Sequence, residues 1–209
     1  MTLADRRDDG REVVARDLLH GGKVFDLVGE QVRLAADDAE PVLREFLDHP
    51  GAVAVVALRE GPHGEEVALV DQYRHPVRAV LWEIPAGLLD VDGEDYLTAA
   101  QRELAEETDL RADRWDVLVD YFTTPGGSTE SLRVYLARDV SDVPHADRHE
   151  RADEERDMTV RWVPLDEAVA AVHDGRLHNP SAVVGILAAA SARAAGWTVL
   201  RPADAPWFR

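Results

Sequence analysis

Two uninterrupted apolar runs dominate the hydrophobic pattern: residues 51–58 (GAVAVVAL) and 66–73 (EVALVDQY), both rich in valine and separated by Gly61, Pro62 and Gly64. Short β-branched runs bounded by turn formers predict buried central strands. Upstream, the apolar runs 24–28 and 31–34 flank Gly29 and Glu30 and predict a hairpin, followed by a polar turn and a short helix-like stretch over 42–47. The clearest helix is 97–108, where Leu97, Ala100 and Leu104 recur at helical spacing. Thr98 and Gln101 have the spacing of a capping box, and Asp95 is the rival cap. Alternation predicts strands at 115–122 and 132–137, joined through Pro125, Gly126 and Gly127, and another at 158–163. The polar run 141–157 is either disordered or a functional loop. Two helices close the chain, one over 166–173 and one that starts after Asn179 and Pro180 and ends near Gly196. Strands and helices interleaved in this way predict an α/β (α+β) chain, without internal repeats, in which residues 1–50 form a β-rich N-terminal region ahead of a domain over 51–209.

Composition narrows the chemistry. With 209 residues, 45% of them hydrophobic, the chain can fold by burial alone. It has no cysteine, so disulfides, thiolate metal sites and a cysteine nucleophile are excluded, in keeping with a reducing cytoplasm. The first residues lack the apolar run of a secretory signal, and 182–192 is too short to span a bilayer, so no membrane is expected. A formal net charge of -18 repels a phosphate backbone and argues against a nucleic-acid partner. A small phosphorylated substrate fits only if divalent cations bridge carboxylates to phosphate oxygens.

Such carboxylates are present. Glu103, Glu106 and Glu107 stand at i, i+3 and i+4 on the predicted helix, so they share one face, while Ala100 and Leu104 anchor another. Three like charges on one face repel unless a cation offsets them, and Arg102 is the adjacent one in sequence. An isolated E-x-x-E-E is usually just a solvated surface. Here it ends the stretch GLLDVDGEDYLTAAQRELAEETDL from Gly87 to Leu110, which resembles the Nudix box, G-x5-E-x7-R-E-U-x-E-E-x-G-U with U aliphatic. Glu94, Arg102, Glu103, Leu104, Glu106, Glu107 and Leu110 fall on it in register. Six residues rather than five separate Gly87 from Glu94, an insertion that a loop absorbs. Asp109 replaces the last glycine, at a position where the chain leaves the helix left-handed and aspartate is tolerated.

The resemblance implies a Nudix fold, a mixed sheet sandwiched between helices, and hydrolysis of a diphosphate. It implies magnesium, with manganese a substitute, held by Glu103 and Glu107, with Glu106 a further or water-mediated ligand and the Ala86 carbonyl a ligand from the loop. Magnesium takes few protein carboxylates and completes its shell with water and substrate phosphates. Arg102 and Glu94 would orient the glutamates. Pro125, sixteen residues beyond Asp109, together with Gln72-Tyr73-Arg74 and Trp82-Glu83-Ile84-Pro85-Ala86-Gly87, resembles the ADP-ribose and ADP-sugar branch, so the implied reaction is ADP-ribose to AMP and ribose 5-phosphate. Other nucleoside diphosphate compounds, and binding without cleavage, are the alternatives. Arg74, Arg78, Glu83 and Pro125 are the candidate substrate contacts. Arg74 and Arg78 offer guanidinium forks to phosphate, and surface charge is the equal alternative. Glu83 either binds substrate or pairs with an arginine across the sheet, Pro125 alone is also a simple turn proline, and Trp82 reads as core. Similar enzymes take their general base from a late mobile loop, which here offers Glu150, Glu154 and Glu155. Glu155, with Glu154 next, is favoured because both sit just before the next strand. His145 and His149 read as solvent-exposed. The resemblance further implies a homodimer in which the N-terminal region is exchanged between subunits.

Overall fold

The computed structural model describes residues 3–8, 10–62, 64–151 and 158–209. The chain folds as two units, one of Met1–Pro50 with Thr124–Glu130 and one of Gly51–Thr123 with Ser131–Arg209. The first unit is a three-stranded antiparallel sheet of β1 (Glu12–Gly21), β2 (Asp26–Arg33) and β3 (Val42–Asp48). Two expectations are corrected here. Gly29 and Glu30 do not turn the chain: β2 runs straight through them, Gly29 facing Asp17 on one side and Glu45 on the other, while the turn falls after Gly21. Gly29 has no positive φ, and a Gly-Glu pair without one cannot close a two-residue hairpin. The stretch 42–47 is a strand, not helix-like, because six residues are too few to hold a helix in water and β2 offers a ladder from Asp26 to Val32.

The second unit carries one mixed sheet in the order β10-β5-β4-β9-β8-β11, with β6 paired to β5 and β7 to β4. Its strands are β4 (Ala52–Gly61), β5 (Gly64–Arg74), β6 (Ala79–Glu83), β7 (Ala86–Leu88), β8 (Leu110–Phe122), β9 (Ser131–Asp142), β10 (Val160–Pro164) and β11 (Arg201–Pro202). The apolar runs are continuous because the central strands are buried on both faces. Ala52, Ala54, Val56 and Leu58 of β4 join Leu132, Val134 and Leu136 of β9 in one core. Val53, Val55 and Ala57 join Tyr135 and Ala137 in the other. Helices α2 (Leu165–His173) and α3 (Pro180–Ala194) cover the first face through Ala168, Ala182, Ile186 and Ala189. Helix α1 (Tyr96–Thr108) covers the second through Ala99, Ala100 and Leu104. The β4–β9 pairing is parallel and the others are antiparallel, so the expected mixed sheet between helices is present. On α3, Gly185 lets the helix approach β4, since a Cβ there would lie 2.9 Å from side-chain atoms of Ile84 and Val56. No helix among the described residues is long and apolar enough to cross a membrane.

Candidate active site

Helix α1 starts at Asp95, not Thr98. The Asp95 carboxylate accepts from the backbone N–H groups of Leu97 at 3.1 Å and Thr98 at 3.0 Å, so the rival cap is the one in use. Ala99, Ala100 and Leu104, all fully buried, fix the rotation of the helix against the sheet. That rotation turns Glu103 and Glu107, one turn apart, inward to 7% and 4% exposure, while Glu106 stays half-buried. Buried carboxylates need partners. The segment before β7 supplies them: Pro85 accepts from the Val55 N–H at 2.8 Å, which brings the Ala86 N–H to within 3.1 Å of a Glu107 carboxylate oxygen. Gly87, paired with Val53, lies flat against Glu103, and a Cβ there would fall 2.0 Å from its Cδ.

Arg102 binds this cluster from the outer side. Its Nε and Nη2 fork onto both oxygens of Glu94 at 3.0 and 2.9 Å, and its Nη1 donates to Glu103 and, at 3.1 Å, to Glu106. The fork lowers the Glu94 carboxyl below its usual range, and the hydrogen bond to Glu94, then the charge of Glu103, raises the Arg102 guanidinium. Arg102 thus binds three of the four glutamates that α1 and the residues just before it gather, Glu94, Glu103 and Glu106. Among the described residues no group of three or more His, Asp or Glu side chains is gathered as a ready metal cage. The arrangement fits a cation that shares its shell with backbone oxygen, water and substrate. A glycine that makes room for one carboxylate, and a loop amide that orients another, meet that requirement.

Arg74 and Glu83 are brought together by the β5–β6 register. The Arg74 guanidinium donates to both Glu83 oxygens at 2.8 and 2.7 Å, and Glu83 is 2% exposed. Of the two readings of Glu83, pairing with an arginine across the sheet is therefore present in the structure. Arg78 is exposed, in left-handed backbone (φ 52°) at the end of a 3-10 turn, His75–Val77. Pro125 belongs to the first unit, in a turn where Gly127 and Ser128 donate to the Thr124 carbonyl at 2.9 Å. Trp82 packs against the core that α2 and α3 cover. Glu154 and Glu155, the favoured bases, lie outside the described residues. Glu150 is described: with residues 147–149 it forms one wall of a cleft of about 450 Å3, and Arg102, Ala105 and Glu106 form the other. His145 and His149 are exposed, as expected. Sequence reasoning passed over Arg148 and Arg151, which bind the end of α1. Their only signal was that they are arginines in a mostly acidic loop, while a carboxylate stands at the end of α1 where a glycine belonged.

Comparisons agree with this geometry. Residues 48–183 match the family model described as the NUDIX domain. The chain is 43% identical over 197 residues to an ADP-ribose pyrophosphatase of Mycobacterium tuberculosis (strain ATCC 25618 / H37Rv), covering 94% of this chain and 91% of that one. It is 33% identical over 163 residues to a methanol dehydrogenase activator of Bacillus methanolicus, covering 76% and 84%. A solved structure, described as that of an ADP compounds hydrolase, superposes with a TM-score of 0.73 at 16% identity, over 92% of this chain and 99% of that one, and so supports the fold.

Proposed function

The chain belongs to the Nudix family of hydrolases, and on that premise we propose that it cleaves ADP-ribose to AMP and ribose 5-phosphate with magnesium as its cation and manganese as a substitute. The observation that carries the reading is the pair of buried carboxylates, Glu103 and Glu107, held on one helix face against Gly87 and the Ala86 amide. These two would hold the cation, with Glu106 and the Ala86 carbonyl as further donors. When bound, the cation neutralises diphosphate charge and acidifies the attacking water. Water adds to one phosphorus, the P–O–P bridge breaks, and the bridging oxygen leaves with the other phosphate. Arg102, tied to Glu94, keeps Glu103 and Glu106 from folding away under mutual repulsion. A loop carboxylate accepts the water's proton. Glu155 and Glu154 are the candidates from sequence, and Glu150 is the described carboxylate facing the same cleft as Glu106. Arg74, held by Glu83, and the exposed Arg78 are the candidate phosphate contacts, and Glu83 and Pro125 are the further candidate substrate contacts that the sequence motifs point to.

Support for ADP-ribose comes from the name of the M. tuberculosis relative together with Pro125 and the motifs around Arg74 and Glu83. Purified protein incubated with ADP-ribose, with and without magnesium, should release AMP and ribose 5-phosphate only with the metal. Release that ignores the metal, or none beside faster cleavage of another nucleoside diphosphate compound, overturns the substrate assignment.

We also propose a homodimer built through the N-terminal unit, residues 1–50, and a cytoplasmic site of action. Support for the dimer is the exposure of Val13, Val14, Leu18, Leu19, Phe25 and Leu43 on a sheet too small to spare them. A monomeric mass by light scattering removes it. Support for the cytoplasm is the absence of cysteine.

A further inference from the structure

Asp109 stands where the Nudix pattern has glycine, and its backbone is left-handed, with φ 58° and ψ 28°. If only the backbone mattered, glycine would meet the requirement without a Cβ penalty. Aspartate adds a carboxylate, and the structure uses it. Its Oδ2 accepts from Nη2 of Arg151 at 2.8 Å, and Nε of Arg148 lies 4.0 Å from its Oδ1. The other edge of the Arg151 guanidinium, Nε, donates to the Glu106 carbonyl at 2.9 Å, in the last turn of α1, where helix carbonyls lack intrahelical partners. Arg148 in turn donates to the Val143 carbonyl at 3.1 Å, and the Val143 N–H donates to the Asp109 carbonyl at 2.8 Å. The loop that follows β9 is thus tied to the end of α1 at both of its described ends. Between the ties it carries Glu150 into the cleft whose other wall holds Glu106.

We propose that Asp109 is a positioning residue, whose carboxylate acts through Arg151 and Arg148 to fix the 143–151 loop on the C-terminal end of α1 and hold Glu150 across the cleft from Glu106. The inference rests on the proposed role of Glu103, Glu106 and Glu107. Arg151 and Asp109 are each about one-fifth exposed, so their pair is better shielded from solvent than a surface pair, and the Arg151 guanidinium is oriented by holding the Asp109 carboxylate through one nitrogen and the Glu106 carbonyl through another. A fixed loop presents its carboxylates at one place, which serves the chemical step more than substrate capture.

The test compares Asp109→Gly, Arg151→Ala and the Asp109→Gly/Arg151→Ala double variant. Asp109→Gly keeps the left-handed exit from the helix, so its melting temperature should stay close to that of the parent. With ADP-ribose and magnesium, kcat of each single variant should fall by roughly ten-fold or more while KM stays within about two-fold. The double variant should be no slower than the slower single one, because both remove the same tie. A parental kcat in Asp109→Gly, or losses that multiply in the double variant, overturns the proposal. Hydrogen exchange of the 143–151 amides reads the clamp without catalysis. It should quicken in Asp109→Gly, and unchanged exchange overturns the clamp. If the parent protein does not cleave ADP-ribose while exchange does quicken, the substrate assignment fails and the clamp stands.

Discussion

A Cβ added to Gly87 would lie 2.0 Å from both Cδ and Oε1 of Glu103, and those atoms are side chain, not backbone. The conflict would therefore be relieved by moving the carboxylate while the helix stays in place. Gly87→Ala is expected to fold with a small change in melting temperature, to need more magnesium for half-maximal rate, and to lose roughly ten-fold or more in kcat. A magnesium titration alongside calorimetry decides: unaltered metal dependence would mean that Glu103 holds no metal. Glu107→Gln addresses the same site by charge alone. The amide oxygen of glutamine can still accept the Ala86 N–H that Glu107 accepts at 3.1 Å, so the fold should persist. Losing the negative charge should lower kcat by about two orders of magnitude or more. A parental rate in Glu107→Gln would sink the assignment.

Helix α1 holds these residues only as firmly as its ends are capped. Asp95 accepts from two first-turn N–H groups and from the Thr98 hydroxyl, and these bonds, the hydroxyl first, lower its carboxyl below the usual 3.8. A depressed folded value means that the stabilisation is fully present above pH 3.8 and is lost as pH falls through the lower folded value. Asp95→Ala should therefore cost about 1 kcal/mol at neutral pH, and the gap to the parent should close as pH drops below 3.8 in urea titrations. A gap that stays constant into acid would show that the cap acts other than through its charge. Legibility at this scale followed periodicity. Strands β4 and β5 were readable because burial on both faces writes an unbroken apolar run, and α1 because its apolar positions repeat over about three and a half turns. Strand β1 was hidden because every one of its residues is exposed, leaving no alternation, and β7 because three residues make no pattern. The glutamate cluster was readable from one helix. That Glu83 could pair with an arginine across the sheet was readable too, although the β5–β6 register decides that the arginine is Arg74, while the Arg151 clamp was not, since loop closure and not spacing brings its partners together.

In the larger unit, the C-terminal segment joins parts of the fold far apart in sequence. Arg133, on the central strand β9, is 1% exposed, and its guanidinium forks onto Asp120 at 2.8 and 3.0 Å. Its remaining donors reach the carbonyls of Ala205 at 2.8 Å and Pro206 at 3.1 Å, and Arg201 binds the same Asp120 at 2.9 Å. A charge so deeply buried is tolerable only while its donors are answered. One residue further along, the Trp207 ring meets Tyr96, the first residue of α1, edge-on at 4.9 Å. Removing residues 203–209 would take both carbonyls from Arg133 and that aromatic contact from α1. The expected cost is about 2 kcal/mol or more, less where water reaches the opened guanidinium. The segment meets α1 at its first residue, and Glu107 lies eleven residues on, about 16 Å along the helix axis at its usual rise. Stability and chemistry should therefore separate: the shortened chain should melt several degrees lower yet keep its kcat well below that temperature. Thermal melts and initial rates on one preparation test this directly. A lost rate at an unchanged melting temperature would place the C-terminal segment in the catalytic step, and the division between a cap at the start of α1 and chemistry at its end would fail.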